Sequence, residues 1–155
     1  MLTPVPSFVA ISLVAASGYL LGAIPFATTV ARRHGVPDLR QIGDRNPGYW
    51  NARQQIGARS ALPILVLDTA KGAVAAAIGL AVATPSQWWL PYVAGGAAMV
   101  GHAWPVFAGF RGGRSVLTFV GTAVVCAPLP ALVAVLVFVA VWAATRSFAR
   151  GARIG

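Results

Sequence analysis

The sequence contains no glutamate, three aspartates and one cysteine, Cys126, among 155 residues. A single cysteine closes no intrachain disulfide, so no disulfide framework holds this fold, and Cys126 reads as a small apolar helix residue. Charged residues make up only 10% of the chain, against about 25% in soluble domains. A chain so poor in charge cannot cover itself with a water-facing surface, and the soluble globular class is excluded. No charge at all occurs before Arg32. The opening MLTPVPSF has no basic residue ahead of the apolar run, so it does not read as a secretory signal peptide. Internal repeats are absent, and no low-complexity tract stands out beyond a richness in alanine and valine.

What is present is hydrophobic, 57% of residues, in long runs separated by short charged segments. The pattern predicts an all-α, polytopic membrane protein, one integral membrane domain over residues 1–155 with about five spans at 7–31, 60–83, 92–108, 115–127 and 131–145. The first run has 25 uncharged residues, enough to cross a hydrocarbon core of about 30 Å with some tilt. Gly18, Gly22 and Ala23 offer a small face for helix packing, and Pro25 predicts a kink. Residues 32–59 are polar and punctuated as loop by Gly35, Pro37, Gly43, Pro47 and Gly48, with a short interfacial helix around Tyr49 to Gln55. Trp88, Trp89 and Tyr92 suit the aromatic belt at the opposite membrane face. Pro128-Leu129-Pro130 predicts a tight outer turn between two short helices.

The net charge is +9, from twelve basic and three acidic residues. Eleven of the twelve basic residues fall in three clusters, Arg32 to Arg59, Arg111 with Arg114, and Arg146 to Arg153, while segments 84–91 and 127–130 carry no charge. By the positive-inside pattern the N-terminus lies outside and the basic loops face the cytoplasm. A nucleic-acid partner is not expected, because no basic surface is interleaved with aromatics outside the spans.

Three segments carry chemistry. Gly109 to Ser115 follows a span and precedes a helix; its glycines allow amide groups to turn inward as an anion-binding nest, the helix N-terminus adds partial positive charge, and Arg111 and Arg114 add forked donors suited to phosphate. The same residues would serve a tight turn that binds lipid headgroups. The loop lacks the Walker A ending, so it is not a P-loop. Asp68 and Lys71, three positions apart on one helix face, form either a structural ion pair or the wall of a site. Asn46-Pro47-Gly48 is a turn former, with Asn46 and Asn51 able to hydrogen-bond a polyol or carbonyl. His102 reads as a packing residue or as a base. No second His, Cys or acid stands beside it at metal-ligand spacing, so no metal site is expected.

Taken together these segments resemble the bacterial PlsY family of membrane acyltransferases. The resemblance rests on Gly22-Ala23-Ile24-Pro25-Phe26, Gly35-Val36-Pro37-Asp38-Leu39-Arg40, Gly43 with Asn46-Pro47-Gly48 and Asn51, Asp68 with Lys71-Gly72, and Gly101-His102 through Arg114, in order over most of the chain. It implies transfer of a fatty acyl group from acyl phosphate to glycerol 3-phosphate, giving lysophosphatidic acid in phospholipid synthesis, at a cytoplasm-facing site in the plasma membrane. It implies no metal, no cofactor and no thioester donor; the partners are the two substrates and membrane lipids. Arg111, Gly112, Gly113, Arg114 and Ser115 would hold phosphate, with Lys71 and Arg53 as further anion-binding candidates. Asn46, Gly48 and Asn51 would bind the glycerol moiety. The base is open between His102, Asp44 and a substrate phosphate oxygen.

The chain departs from the family pattern at definite places. Asp44 stands for a serine, Arg45 for a glycine, Tyr49-Trp50 for Ala-Thr, and Gln54 for an arginine that the adjacent Arg53 can replace. Arg111 and Arg114 stand for lysines, Ser115 for a glycine and Ala149 for a serine. The family's third motif, a histidine, asparagine and glutamate on later helices, does not occur before Gly155. The alternative reading is therefore an impaired or shortened relative that binds phosphate or anionic lipid without turnover. A small helical scaffold or pore explains neither the arginine loop nor Asn46-Pro47-Gly48.

Overall fold

The computed structural model describes residues 7–145; the arginines at 146, 150 and 153, and Ala149, lie outside the described residues. Among these the regular structure is entirely helical: α1 (Ser7–Gly22), α2 (Phe26–Arg33), α3 (Tyr49–Ile56), α4 (Ala58–Val82), α5 (Leu90–Ala103), α6 (Val116–Cys126) and α7 (Pro128–Thr145). Short 3₁₀ turns occur at Leu39–Gln41, Pro85–Gln87 and Val106–Ala108. Helix α4 is the hub, packed against α1, α5 and α6, with α2 and α3 at one end; α1 also lies along α5, and α7 docks on α6.

Small residues set these spacings. A β-carbon on Gly18 or Gly22 would strike the α5 backbone at Ala94 or Ala98, and one on Gly72 or Gly121 would strike the backbone at Thr118 or Thr69. Such contacts bring helix backbones close enough for dispersion to hold them where lipid tails remove any hydrophobic drive to associate. The buried apolar groups form two modest clusters, Ala10, Val14, Leu90 and Ala94 at one end and Ala27, Ala31, Leu39, Ala52, Ala61 and Ile64 at the other. Large apolar side chains point outward instead: Phe8 is 72% exposed and Leu129 70%. In water this surface is unfavourable by about 25 cal/mol per Å²; against hydrocarbon it is not.

The structure redraws several expected boundaries. Phe8–Arg33 and Ala58–Val82 are the segments long and apolar enough to cross a membrane among the described residues. The first is broken between Gly22 and Phe26, where Pro25 sits ahead of α2; the expected kink is an interruption. The span expected at 92–108 ends at Ala103, because Pro105 disfavours a helical Trp104. Helix α6 has 11 residues and α7 has 18. The turn expected at Pro128–Pro130 is confined to Ala127. Both prolines lie in the first turn of α7, where a missing amide hydrogen removes no helix bond.

At the end opposite the two loops discussed below, Tyr92 Oη donates to the Cys126 carbonyl at 3.1 Å and its ring meets Trp88 edge-on at 6.1 Å. This aromatic pair ties the start of α5 to the end of α6.

Candidate active site

Two loops, residues 34–48 and 104–115, meet at the end of the bundle where α5 finishes and α4 and α6 begin. In the first, the Asp38 carboxylate accepts the Arg40 amide at 2.9 Å and so caps the Leu39–Gln41 turn. It also takes the Arg40 guanidinium side-on, through Nε at 2.9 and 3.1 Å and Nη2 at 2.9 Å. These bonds hold the Asp38 carboxyl below the usual carboxylate range and raise the affinity of Arg40 for its proton. The remaining arm of Arg40, Nη1, crosses to the second loop and donates to the carbonyls of Ala108 (3.0 Å) and Arg111 (3.3 Å).

Asn51 is fully buried at the start of α3. Its Nδ2 donates to the carbonyls of Leu39 and Ile42, both at 2.9 Å, and shares a longer contact of 3.2 Å with Asn46. The side chain expected to hold glycerol therefore holds the loop. Gly43, at φ +60°, is pressed against Asn51 and Gln55 where a β-carbon has no room. Asp44 Oδ1 accepts the Asn46 amide at 3.0 Å, making an Asx turn that aims the asparagine. Arg45 is also left-handed, at φ 60°.

The second loop corrects the expectation of an amide nest. Gly112 and Gly113 donate their amides to the carbonyls of Ala103 (3.0 Å) and His102 (3.1 Å). Neither amide is available to an anion. Their backbones lie on the end of α5, where a β-carbon at Gly112 would strike the His102 carbonyl and one at Gly113 the His102 ring. The glycines serve close approach. The positive φ angles fall instead on Gly109 (65°), Phe110 (58°) and Ser115 (58°). Ser115 precedes α6 without capping it; its hydroxyl donates to the Met99 carbonyl at 2.7 Å. The first turn of α6 thus keeps its amide groups uncapped by any side chain and its positive dipole end open.

Between these loops lies a buried polar cluster. Lys71 Nζ stands 3.0 Å from Asp68 Oδ1, donates to the Ile24 carbonyl at 3.2 Å and lies 5.8 Å from the Phe26 ring centre. The break between α1 and α2 provides that carbonyl. His102 Nδ1 is 3.7 Å from the same Asp68 oxygen. Lysine and aspartate are at ion-pair distance, but outside hydrogen-bond geometry: both carboxylate oxygens of Asp68 and Nδ1 of His102 are buried without a hydrogen-bond partner among the described residues.

Two cavities adjoin at Asp68 and His102. The larger, about 810 Å³, is lined at its polar end by Asp44, Asn46, Gly48, Arg53, Arg114 and Ser115. Tyr49, Trp50, Leu65, Val116, Leu117, Phe138 and Val139 form its apolar walls. Arg53 lies 5.3 Å over the Trp50 ring, and Arg114 Nη1 is 3.9 Å from Asp44 Oδ2. The smaller, about 20 Å³, takes in Lys71, Arg111, Gly112 and Gly113; its volume suits a water-sized group. The two arginines read together from the sequence accordingly line different cavities.

Sequence reasoning gave Asp68 no catalytic role and named Arg40 only within the family motif, with no role of its own. The signal for Arg40 was an acid and a base two residues apart in a glycine-punctuated loop, the spacing of an Asx-capped turn.

The family model for glycerol-3-phosphate acyltransferase matches residues 12–155. Glycerol-3-phosphate acyltransferase 5 of Dehalococcoides mccartyi is 42% identical over 127 residues, covering 79% of this chain and 52% of that protein. The glycerol-3-phosphate acyltransferase of Halalkalibacterium halodurans is 35% identical over 122 residues, 79% of this chain and 59% of the relative. This chain thus spans little more than half the length of these relatives. The crystal structure of PlsY (YgiH), an integral membrane glycerol 3-phosphate acyltransferase in its glycerol 3-phosphate form, superposes with a TM-score of 0.76 at 32% identity, over 85% of this chain and 65% of that one. Its lysophosphatidic acid form gives 0.73 at 30% identity. With the fold shared and the family model matched over residues 12–155, the chain belongs to the glycerol-3-phosphate acyltransferase family.

Proposed function

We propose that this chain is a membrane acyltransferase that moves a fatty acyl group from acyl phosphate to glycerol 3-phosphate, producing lysophosphatidic acid. The observation that carries the reading is the larger cleft. One end gathers cations, an amide and an open helix N-terminus, and the other is apolar, which is the chemistry of a phosphorylated head joined to an acyl chain. As one integral membrane unit the chain would cross the bilayer about five times, with its N-terminus outside and the loops at the cytoplasmic face. Its partners are the two substrates and the surrounding lipids.

In this reading Arg114, Arg53 and the first turn of α6 hold phosphoryl oxygens, and Asn46 directs the glycerol moiety. Asn51 and Gly48 shape the loop that presents Asn46. A glycerol hydroxyl attacks the acyl carbonyl, a new ester C–O bond forms, and the bond from carbonyl carbon to phosphate oxygen breaks as phosphate leaves with the electron pair. His102 receives the hydroxyl proton, with Asp68 facing its Nδ1. Asp44 is the lesser base candidate, since one of its oxygens closes the Asx turn. Because phosphate is a competent leaving group, positioning and charge stabilisation carry much of the rate.

The second reading, binding of phosphate or anionic lipid without turnover, is favoured by one fact: neither His102 Nδ1 nor the Asp68 carboxylate makes a hydrogen bond among the described residues, so no bond orients the imidazole as a base. Purified protein in lipid nanodiscs separates the two. Acyl phosphate with glycerol 3-phosphate should yield lysophosphatidic acid and inorganic phosphate in equal amounts, and an acyl thioester should yield none. Saturable glycerol 3-phosphate binding without product would establish the second reading.

A further inference from the structure

We infer that Arg40 is a positioning residue, one that holds the arginine-bearing loop in register with the first loop and does not itself bind substrate. Its fork is filled. Nε and Nη2 lie on the Asp38 carboxylate, and Nη1 lies on two carbonyls some seventy residues away, Ala108 and Arg111. With four of its five N–H groups directed at protein oxygens, Arg40 keeps one Nη2 hydrogen and no free pair with which to fork a phosphate. The carbonyls it holds bracket Gly109 and Phe110, both left-handed, and lie directly before Gly112 to Ser115. Fixing those carbonyls fixes the course of the loop and the level at which Arg111 and Arg114 leave it. Arg114 and Asp44 also face each other across the loops, but at 3.9 Å and with Arg114 70% exposed, so the pair is a weak tie.

Only an arginine satisfies this arrangement. The side-on carboxylate needs two nitrogens of a planar fork while the third points away to the carbonyls. A lysine at position 40 reaches one partner at a time. Asp38 is the other half of the device, since it both caps the turn and fixes the guanidinium plane.

The kinetic part of the test rests on the acyltransferase reading; the backbone part does not. Arg40→Lys, Arg40→Gln and Asp38→Asn are compared with wild type in nanodiscs, with Arg33→Gln as a control for loss of one exposed charge. Two quantities are read: kcat and KM for each substrate, and amide hydrogen exchange over residues 108–115. Arg40→Lys and Arg40→Gln should raise KM for a phosphorylated substrate by roughly tenfold or more, with a smaller change in kcat and faster exchange confined to the loop. Asp38→Asn should follow in the same direction, and Arg33→Gln should stay at wild-type values. An Arg40→Lys protein with wild-type KM, or unchanged exchange at 108–115 in the Arg40 variants, overturns the inference. If wild type gives no product, the acyltransferase reading falls and the exchange data alone decide Arg40. If Arg40→Gln does not fold, Arg40→Lys and Asp38→Asn carry the decision.

Discussion

His102 and Asp68 face each other across α5 and α4 with 3.7 Å between Nδ1 and Oδ1, and Lys71 Nζ lies 3.0 Å from the same oxygen. An imidazole placed this way has one nitrogen turned to a carboxylate and its other nitrogen turned toward Gly113 and the Asn46 loop. Substituting His102 by Gln keeps a hydrogen-bonding group near the same place but removes the proton acceptor. We expect kcat to fall by about 10²–10⁴-fold with KM for glycerol 3-phosphate little altered, measured by steady-state kinetics in nanodiscs.

The lysine–aspartate pair gives a stability prediction of a particular form. Both side chains are almost wholly buried, so removing one leaves the other buried without its opposite charge. Lys71→Met alone should cost about 3–5 kcal/mol, and Asp68→Leu with Lys71→Met should cost less than the single change. Thermal unfolding of the two proteins in one detergent decides it; a double variant less stable than the single one contradicts the buried-pair account.

Arg45 sits in the left-handed region at φ 60°, exposed and with no hydrogen bond from its side chain among the described residues. An L-residue there is disfavoured by roughly 1–2 kcal/mol, part of which glycine recovers after its own entropy cost. Arg45→Gly should therefore stabilise by about 0.5–1 kcal/mol, read as a rise in melting temperature. Ser115→Gly should not, because the relief at φ 58° is offset by losing the hydroxyl bond to Met99.

These two residues mark what the sequence could and could not tell. The resemblance flagged Arg45 and Ser115 as standing for family glycines, but only the backbone angles give the reason those positions take glycine. The all-helical architecture was legible because long apolar runs alternate with short charged segments, Asp68 and Lys71 apart. Helix ends were read less well, since Trp104-Pro105 and Ala127-Pro128 act through φ constraints one residue away. Asn51 was singled out as a glycerol ligand, and composition cannot tell an amide aimed at a ligand from one aimed at three carbonyls. The glycines at 112 and 113 were read as conformational when they are there for close contact with α5. The cross-loop role of Arg40 was hidden because the carbonyls it reaches are distant in sequence.

The Asp38–Arg40 pair predicts an acid limb. The carboxyl is held below its ordinary range by Arg40, so its contribution is complete above the unfolded value of about 3.9. That contribution is lost as the pH falls from there through the folded value. Loop protection at 108–115, followed by hydrogen exchange at stepped pH, should be flat from neutrality to about pH 4–5 and then decline. In Asp38→Asn the protection should be lower from neutrality to about pH 4–5, and the decline should be absent.

The central claim is that Arg114 and the open end of α6 grip the phosphoryl head of a substrate whose acyl group is then transferred. Its most direct test is the rate of lysophosphatidic acid formation from acyl phosphate and glycerol 3-phosphate in wild type, Arg114→Ala and Arg111→Ala. The account predicts product from wild type and a loss of kcat/KM of at least about tenfold in Arg114→Ala, larger than the loss in Arg111→Ala, whose side chain lines the smaller cavity. Wild-type rates in Arg114→Ala would contradict it.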